Sequence, residues 1–256
     1  MASKLITLVR NLQQRKGRKR ANLAVAEGVR LVEEALEAGL AYEGAVVSPA
    51  LTGTPRGKEL FAQVASRAIH IEEVPDHDFE SLACTDTPQG VLLVLELPEF
   101  QLDDIEPGIG SPVLVVDGVQ DPGNLGALLR SAFGLGAAGA LLLAGTADLR
   151  NAKSIRASMG AGFRLPVTRV SDDELRSWVS RNQVTLWAAV SEGVPVDRAR
   201  SSEKIAIVLG NEGAGVRPEI EEMAHQRVTI PLSRGAESLN VAVAAGILLY
   251  EVQRAG

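Results

Sequence analysis

Short apolar runs alternate along this chain with stretches whose apolar positions recur every three or four residues. Runs of the first kind read as buried strands, and stretches of the second kind as helices packed by one face. In the first hundred residues this predicts helices over 3–14, 29–36 and 57–67, and strands over 23–25, 43–47, 68–71 and 90–95. The alternation is clearer further on. Strands are expected at 113–117, 140–144, 164–168, 184–190, 204–209 and 227–230, with helices at 124–134, 152–159 and 172–181, after Pro218, and over 238–253. Strands that are apolar on both sides and separated by helices predict an α/β fold with a largely parallel sheet covered on both faces.

Between the two patterns lies a stretch with Pro98, Pro107, Gly108 and Gly110 interleaved with Asp103, Asp104 and Glu106. Such composition favours a connector. The expected organisation is a small α/β domain over 1–97, a linker over 98–111 and a larger domain over 112–256.

Composition narrows the chemistry. Cys84 is the single cysteine of 256 residues, so an internal disulfide and a cysteine metal cluster are both excluded. His70, His77 and His225 lack ligand spacing, and no metal is expected. No apolar segment has the length of a membrane span, which predicts a cytoplasmic protein. The net charge of −6 argues against a nucleic-acid partner until its distribution is considered. Residues 1–30 hold eight basic side chains, Lys4, Arg10, Arg15, Lys16, Arg18, Lys19, Arg20 and Arg30, against one acid, Glu27. A basic arm on an acidic body is suited to RNA phosphates, although a solvated helix end would show the same residues. Arg15, Lys16, Arg18, Lys19, Arg20 and Arg30 are the candidate RNA contacts.

Three segments follow predicted strands, where ligands of parallel sheets collect. The first, 116–130, runs from strand through Asp121-Pro122-Gly123 into a helix bearing Arg130, with Asn124 placed to cap it. The second, 205–216, is an apolar strand that breaks into Gly210-Asn211-Glu212-Gly213-Ala214-Gly215. Its glycines permit close approach of backbone to a ligand, and exposed N–H and C=O groups there are suited to reading an adenine edge. The spacing is not that of a dinucleotide fingerprint, which argues against a nicotinamide oxidoreductase. The third, 228–246, leaves a strand through a polar turn and enters a helix of small residues. Ser238 is expected as its N-cap and Asn240 in its first turn. Taken singly, each segment also reads as an ordinary turn or capped helix.

As an ordered set, Asp121–Arg130, Leu209–Val216, and Ile230–Leu232 with Ser238–Asn240 resemble the three motifs of the SpoU or TrmH-type RNA 2′-O-ribose methyltransferases of the SPOUT superfamily. The stretch 153–162 is also similar, and 26–32 resembles part of the family's L30e-like substrate-binding domain. The resemblance implies a C-terminal SPOUT domain with a deep trefoil knot, S-adenosyl-L-methionine as cofactor, and a homodimer completing the site. It implies cofactor contacts at Gly210, Ile230 and Leu239, with Leu209 and Leu232 as neighbours. It further implies a key role for Arg130, with Asn124, Glu212, Ser238 and Asn240 placing it and the substrate. The reaction would be attack of a ribose 2′-hydroxyl on the sulfonium methyl. Arginine is an awkward base because its pKa exceeds about 12, so holding phosphate and developing alkoxide charge is the easier role. The size of the first domain favours 23S ribosomal RNA as substrate. The alternatives are a tRNA 2′-O-methyltransferase, a base methyltransferase, and an RNA-binding or assembly protein that keeps the fold without catalysis.

Overall fold

Contacts divide the chain into two compact units in the computed structural model, which describes residues 3–18, 22–199, 203–233 and 238–255. One unit comprises Met1–Pro98 with Asp148–Phe163, and the other Glu99–Ala147 with Arg164–Gly256.

In the first unit, α1 (Lys4–Gln13) and α2 (Arg15–Arg18) precede β1 (Leu23–Glu27), α3 (Val29–Glu37), β2 (Tyr42–Val47), α4 (Pro55–Ser66), β3 (Ile71–Glu73), α5 (Asp76–Glu80) and β4 (Val91–Glu96). The sheet order is β1-β4-β2-β3. Its β1/β4 and β2/β4 pairs are antiparallel and β2/β3 is parallel. The predicted strand over 68–71 starts later because Ala68, at φ 54°, ends α4 in the left-handed region. The five-residue α5 is too short to leave a periodic signal.

Helix α7 (Ala152–Ser158) belongs to this unit although its sequence lies inside the second half. Ile155 and Phe163 join the core made by α3, α4 and the sheet. The polar link is Arg18, which is only 6% exposed. Its guanidinium donates to Asp148 Oδ2 at 3.1 Å and to the carbonyls of Leu12 and Gln13 at 3.0 and 2.8 Å. Burial pushes the Asp148 carboxyl up, but Arg18 and Arg150 overcome this and hold it low. Arg18 therefore serves the fold, which corrects its expected place on an RNA-facing arm. The buried Glu27 accepts from the Cys84 amide at 2.7 Å and from Thr85, closing a loop over β1.

The second unit contains β5 (Val113–Val116), α6 (Pro122–Gly134), β6 (Gly139–Leu142), β7 (Val167–Arg169), α8 (Asp172–Asn182), β8 (Thr185–Pro195), β9 (Ile205–Leu209), α9 (Pro218–Glu221), β10 (Gln226–Thr229) and α10 (Val241–Ala255). Its sheet is parallel throughout, in the order β10-β8-β9-β5-β6-β7. Alternate residues Val113, Val115, Leu186, Ala206 and Val208 pack with Leu175, Trp178 and Val179 of α8 and with Ile220 of α9. On the remaining elements, α6 packs with α10 and β6, and α10 with β9. From β5 the chain steps to β6 on one side, while β9 lies on the other. The crevice between β5 and β9 is thus a topological switch point, where open parallel sheets bind ligands. Among the described residues, no helix is long and apolar enough to cross a membrane.

Trp178 is 1% exposed at the centre of one core. Truncating such a side chain removes transfer free energy and leaves a cavity. Trp178→Ala is expected to destabilise the protein by about 3–5 kcal/mol, measured by denaturant unfolding. A loss under about 1 kcal/mol would contradict the packing described.

Candidate active site

Val116 of β5 and Leu209 of β9 are partners in register, so the loops that follow them leave the sheet side by side. The first loop leads into α6. Asp121 is its N-cap, accepting from the Asn124 amide at 2.9 Å, and Pro122 occupies the first turn. Asn124 was expected in the capping role. With the cap supplied by Asp121, its side chain is released for other partners.

The second loop closes on itself. Asn211 and Gly215 exchange backbone hydrogen bonds of 2.9 Å each, and Asn211 Oδ1 accepts from the amides of Gly213 and Ala214 at 3.0 Å. A Cβ at Gly210 would lie 2.1 Å from the Gly215 carbonyl carbon and from the Val216 nitrogen. Glycine is required there because backbone meets backbone. The amides of Asn211, Gly213, Ala214 and Gly215 are spent inside the turn, contrary to the expectation of free N–H groups.

Helix α10 begins at Val241, not Ser238. Asn240 Oδ1 accepts from the Ala242 amide at 2.9 Å, so Asn240 is the capping residue and Ser238 is exposed upstream of it. This also accounts for an asparagine at a position where a helix interior would disfavour it.

The three loops meet through one line of side chains. Asn124 Nδ2 donates to Glu212 Oε1 at 3.0 Å, and Asn240 Nδ2 donates to Asn124 Oδ1 at 3.1 Å. The polarity of this line is fixed from one end. An ionised carboxylate only accepts, so the Asn124 amide must turn its NH2 to Glu212 and its oxygen to Asn240. Glu212 also accepts from the amides of Gln120 and Asp121 at 3.3 Å each. Burial pushes its carboxyl up, but Asn124, its own amide and those of Gln120 and Asp121 outweigh this and hold it below 4.5.

Arg130, two turns along α6, is exposed and makes no ion pair among the described residues. Leu209 is buried, and its carbonyl accepts from the Asp117 amide at 2.8 Å. Gly210 is buried, Ile230 half-buried, and Leu232 and Leu239 are 39% and 37% exposed, unusual for large apolar side chains. Residues 234–237 between them lie outside the described residues. Arg15, Lys16 and Arg30 of the first unit are exposed. The expected RNA contacts Lys19 and Arg20 lie outside the described residues.

The ion pair between Asp117 and Arg217 escaped the sequence reading. Asp117 has no exposed side-chain surface, and Arg217 Nε donates to its Oδ1 at 2.7 Å. Nothing in the local pattern joins positions a hundred residues apart. An acid at the end of an apolar strand was the available signal.

The chemistry of these groups fits S-adenosyl-L-methionine. The exposed Glu212 carboxylate gives a negative neighbourhood suited to a ligand with a sulfonium and an ammonium, and exposed Leu232 and Leu239 offer an apolar surface for its nucleoside.

Because Glu212 titrates below its ordinary 4.5, its contacts persist above that pH and are lost as pH falls through the depressed value. The Asn124 side-chain amide signals should stay constant from neutrality down to about pH 5 and shift only below it. Glu212→Gln, which offers a donor where donors already point, is expected to lower turnover by about tenfold, since solvent-exposed charge-assisted bonds contribute modestly. Unchanged turnover in that variant would show that the line of side chains is incidental.

The family description "SpoU rRNA Methylase family" matches residues 111–250, and "MRM3-like substrate binding domain" matches residues 4–93. Over 246 residues the chain is 35% identical to RlmP of Bacillus subtilis (strain 168), a 23S rRNA (guanosine(2553)-2′-O)-methyltransferase, covering 95% of this chain and 94% of that one. Among solved structures, the AdoMet-bound rRNA methyltransferase from Sinorhizobium meliloti superposes with a TM-score of 0.87 at 31% identity, covering 98% of this chain and 95% of that one. The SpoU methyltransferase AviRb from Streptomyces viridochromogenes, in complex with AdoMet, gives a TM-score of 0.86 at 28% identity over 99% of this chain and 98% of that one. Matched along nearly its whole length, the chain belongs to the SpoU rRNA methylase family.

Proposed function

We propose that this protein transfers the methyl group of S-adenosyl-L-methionine to a ribose 2′-hydroxyl of 23S ribosomal RNA. The observation that carries the reading is the line Asn240–Asn124–Glu212, which draws the three loops together at the start of α6, the helix that carries the exposed Arg130 two turns on. Its support from relatives is the RlmP likeness over almost the full length of both chains.

When bound, the cofactor supplies an electrophilic methyl on a sulfonium. The turn after β9 and the residues Ile230, Leu232 and Leu239 hold it, with Gly210 allowing the turn to close. Leu209 acts from beneath, as a buried support. Arg130 receives the phosphate next to the target ribose and stabilises negative charge developing on the 2′-oxygen, whose proton passes to solvent as the methyl is taken up. Glu212 is an anchor and not the base. A carboxylate saturated with hydrogen bonds and held below its ordinary pKa is a weak proton acceptor. Asn124 and Asn240 transmit its position to the start of α6 and α10. Ser238, exposed at the mouth of α10, meets the substrate.

The active form is a homodimer with the family's trefoil knot. Phe133 of α6 and Val243 and Tyr250 of α10 are 45%, 51% and 54% exposed. Val243 and Tyr250 lie seven residues apart on one helical face, and such a face on paired helices suits a second copy of the chain. Arg15, Lys16 and Arg30 contact RNA phosphates, with Lys19 and Arg20 extending the same run.

Arg130→Ala should bind S-adenosyl-L-methionine with near-normal affinity and lose about a hundredfold or more in transfer of labelled methyl to 23S RNA. Retained turnover would overturn its assignment. Replacing Arg15 and Lys16 together by alanine should weaken RNA binding and flatten the dependence of log K on log salt by about 1.5, roughly 0.7–0.9 for each phosphate contact removed. An unchanged slope would remove these residues from the RNA surface.

A further inference from the structure

Beside the line of side chains that holds Glu212, a second device grips the same turn at both ends. The Asp117 amide donates to the Leu209 carbonyl at 2.8 Å, where β9 passes into the turn. The Asp117 carboxylate then accepts from the Arg217 amide at 2.8 Å and from Arg217 Nε at 2.7 Å, where the chain leaves it. One residue thus holds entry and exit. The free fork of Arg217 continues to Asp172 in the first turn of α8, with bonds of 3.1 and 2.8 Å.

The turn between these grips has little room to yield. Gly210 is pressed against the backbone at Gly215 and Val216, and Asn211 and Gly215 are paired. Asn211 Nδ2 also donates to the Gly118 carbonyl at 2.9 Å, one residue beyond Asp117. A shift at either end would move the carbonyls of the turn and Glu212 together, because internal adjustment is blocked.

We propose that Asp117 is a positioning residue for the methyl donor. Through Leu209 and Arg217 it fixes the surface on which the donor rests, whereas Asp172 steadies α8 and contributes to folding alone. This rests on the reading of the turn as the donor site.

Three variants of the full chain separate these roles: Asp117→Asn, Arg217→Gln and Asp172→Asn. Binding of S-adenosyl-L-methionine is measured by calorimetry, methyl transfer by steady-state kinetics, and folding by thermal unfolding. In Asp117→Asn the Kd and KM for the donor should rise about tenfold, by more than kcat falls, with the KM for RNA unchanged. Arg217→Gln keeps its main-chain bond to Asp117 and should show a smaller rise of the same kind. Asp172→Asn should lower the unfolding midpoint while donor Kd stays within about threefold. Equal binding by Asp117→Asn and the wild type would overturn the proposal. So would weakening by Asp172→Asn as large as that by Asp117→Asn, since a general loss of stability would then explain both. If Asp117→Asn does not fold, wild-type affinity in Arg217→Gln overturns the proposal and a selective loss supports it. A wild-type protein that does not bind the donor would instead refute the donor site itself.

Discussion

Asp117 is a carboxylate without exposed surface, and the loops of the active site are arranged around its neutralisation. A buried charge is tolerated only when a partner and hydrogen bonds replace the water it has lost. Here Arg217 supplies both, through its guanidinium and its own amide. Hydrogen bonding to Asp172, opposed by partial burial and reinforced by Asp117, raises the pKa of that guanidinium still further, although arginine is charged at every working pH without it. The arrangement orders the end of β5, the turn after β9 and the start of α8 at once.

A second carboxylate works within the same turn. Glu212 is more exposed than Asp117 and is stabilised by dipoles, through Asn124 and three backbone amides, with no cation as partner among the described residues. The difference suits the two positions. A cation beside Glu212 would compete with Arg130 for phosphate and with the cofactor for acceptor groups. Neutral amides hold Glu212 without drawing on Arg130. An asparagine line also has a direction, because the carboxylate end admits only donors. The start of α10 is thereby oriented through two side chains of another loop.

Much of this architecture is legible in the chain. Runs such as 113–116 and 205–209 are apolar at every position, as only strands covered on both faces can be, and they form the centre of the parallel sheet. The three loops could be located because each interrupts such a run with glycine, proline or asparagine. What could not be read depends on partners distant in sequence. Arg18 sits in a basic run that reads as an RNA arm, yet its charge is used by Asp148, 130 residues away. Helix α7 lies within the second half by sequence but packs in the first unit, because Ile155 and Phe163 find their core there. The caps of α6 and α10 were displaced by three and two residues from Asp121 and Asn240. Short polar residues crowd both helix starts, and only geometry selects among them.

Methylation of ribose oxygen and methylation of a base leave different products. Ribosomal RNA methylated by the protein with labelled S-adenosyl-L-methionine can be digested to completion in alkali, which needs a free 2′-hydroxyl at each bond it cleaves. With the methyl on a ribose oxygen, the label is recovered in a single alkali-resistant dinucleotide. Label recovered in mononucleotides would place the methyl on a base and contradict the proposed function.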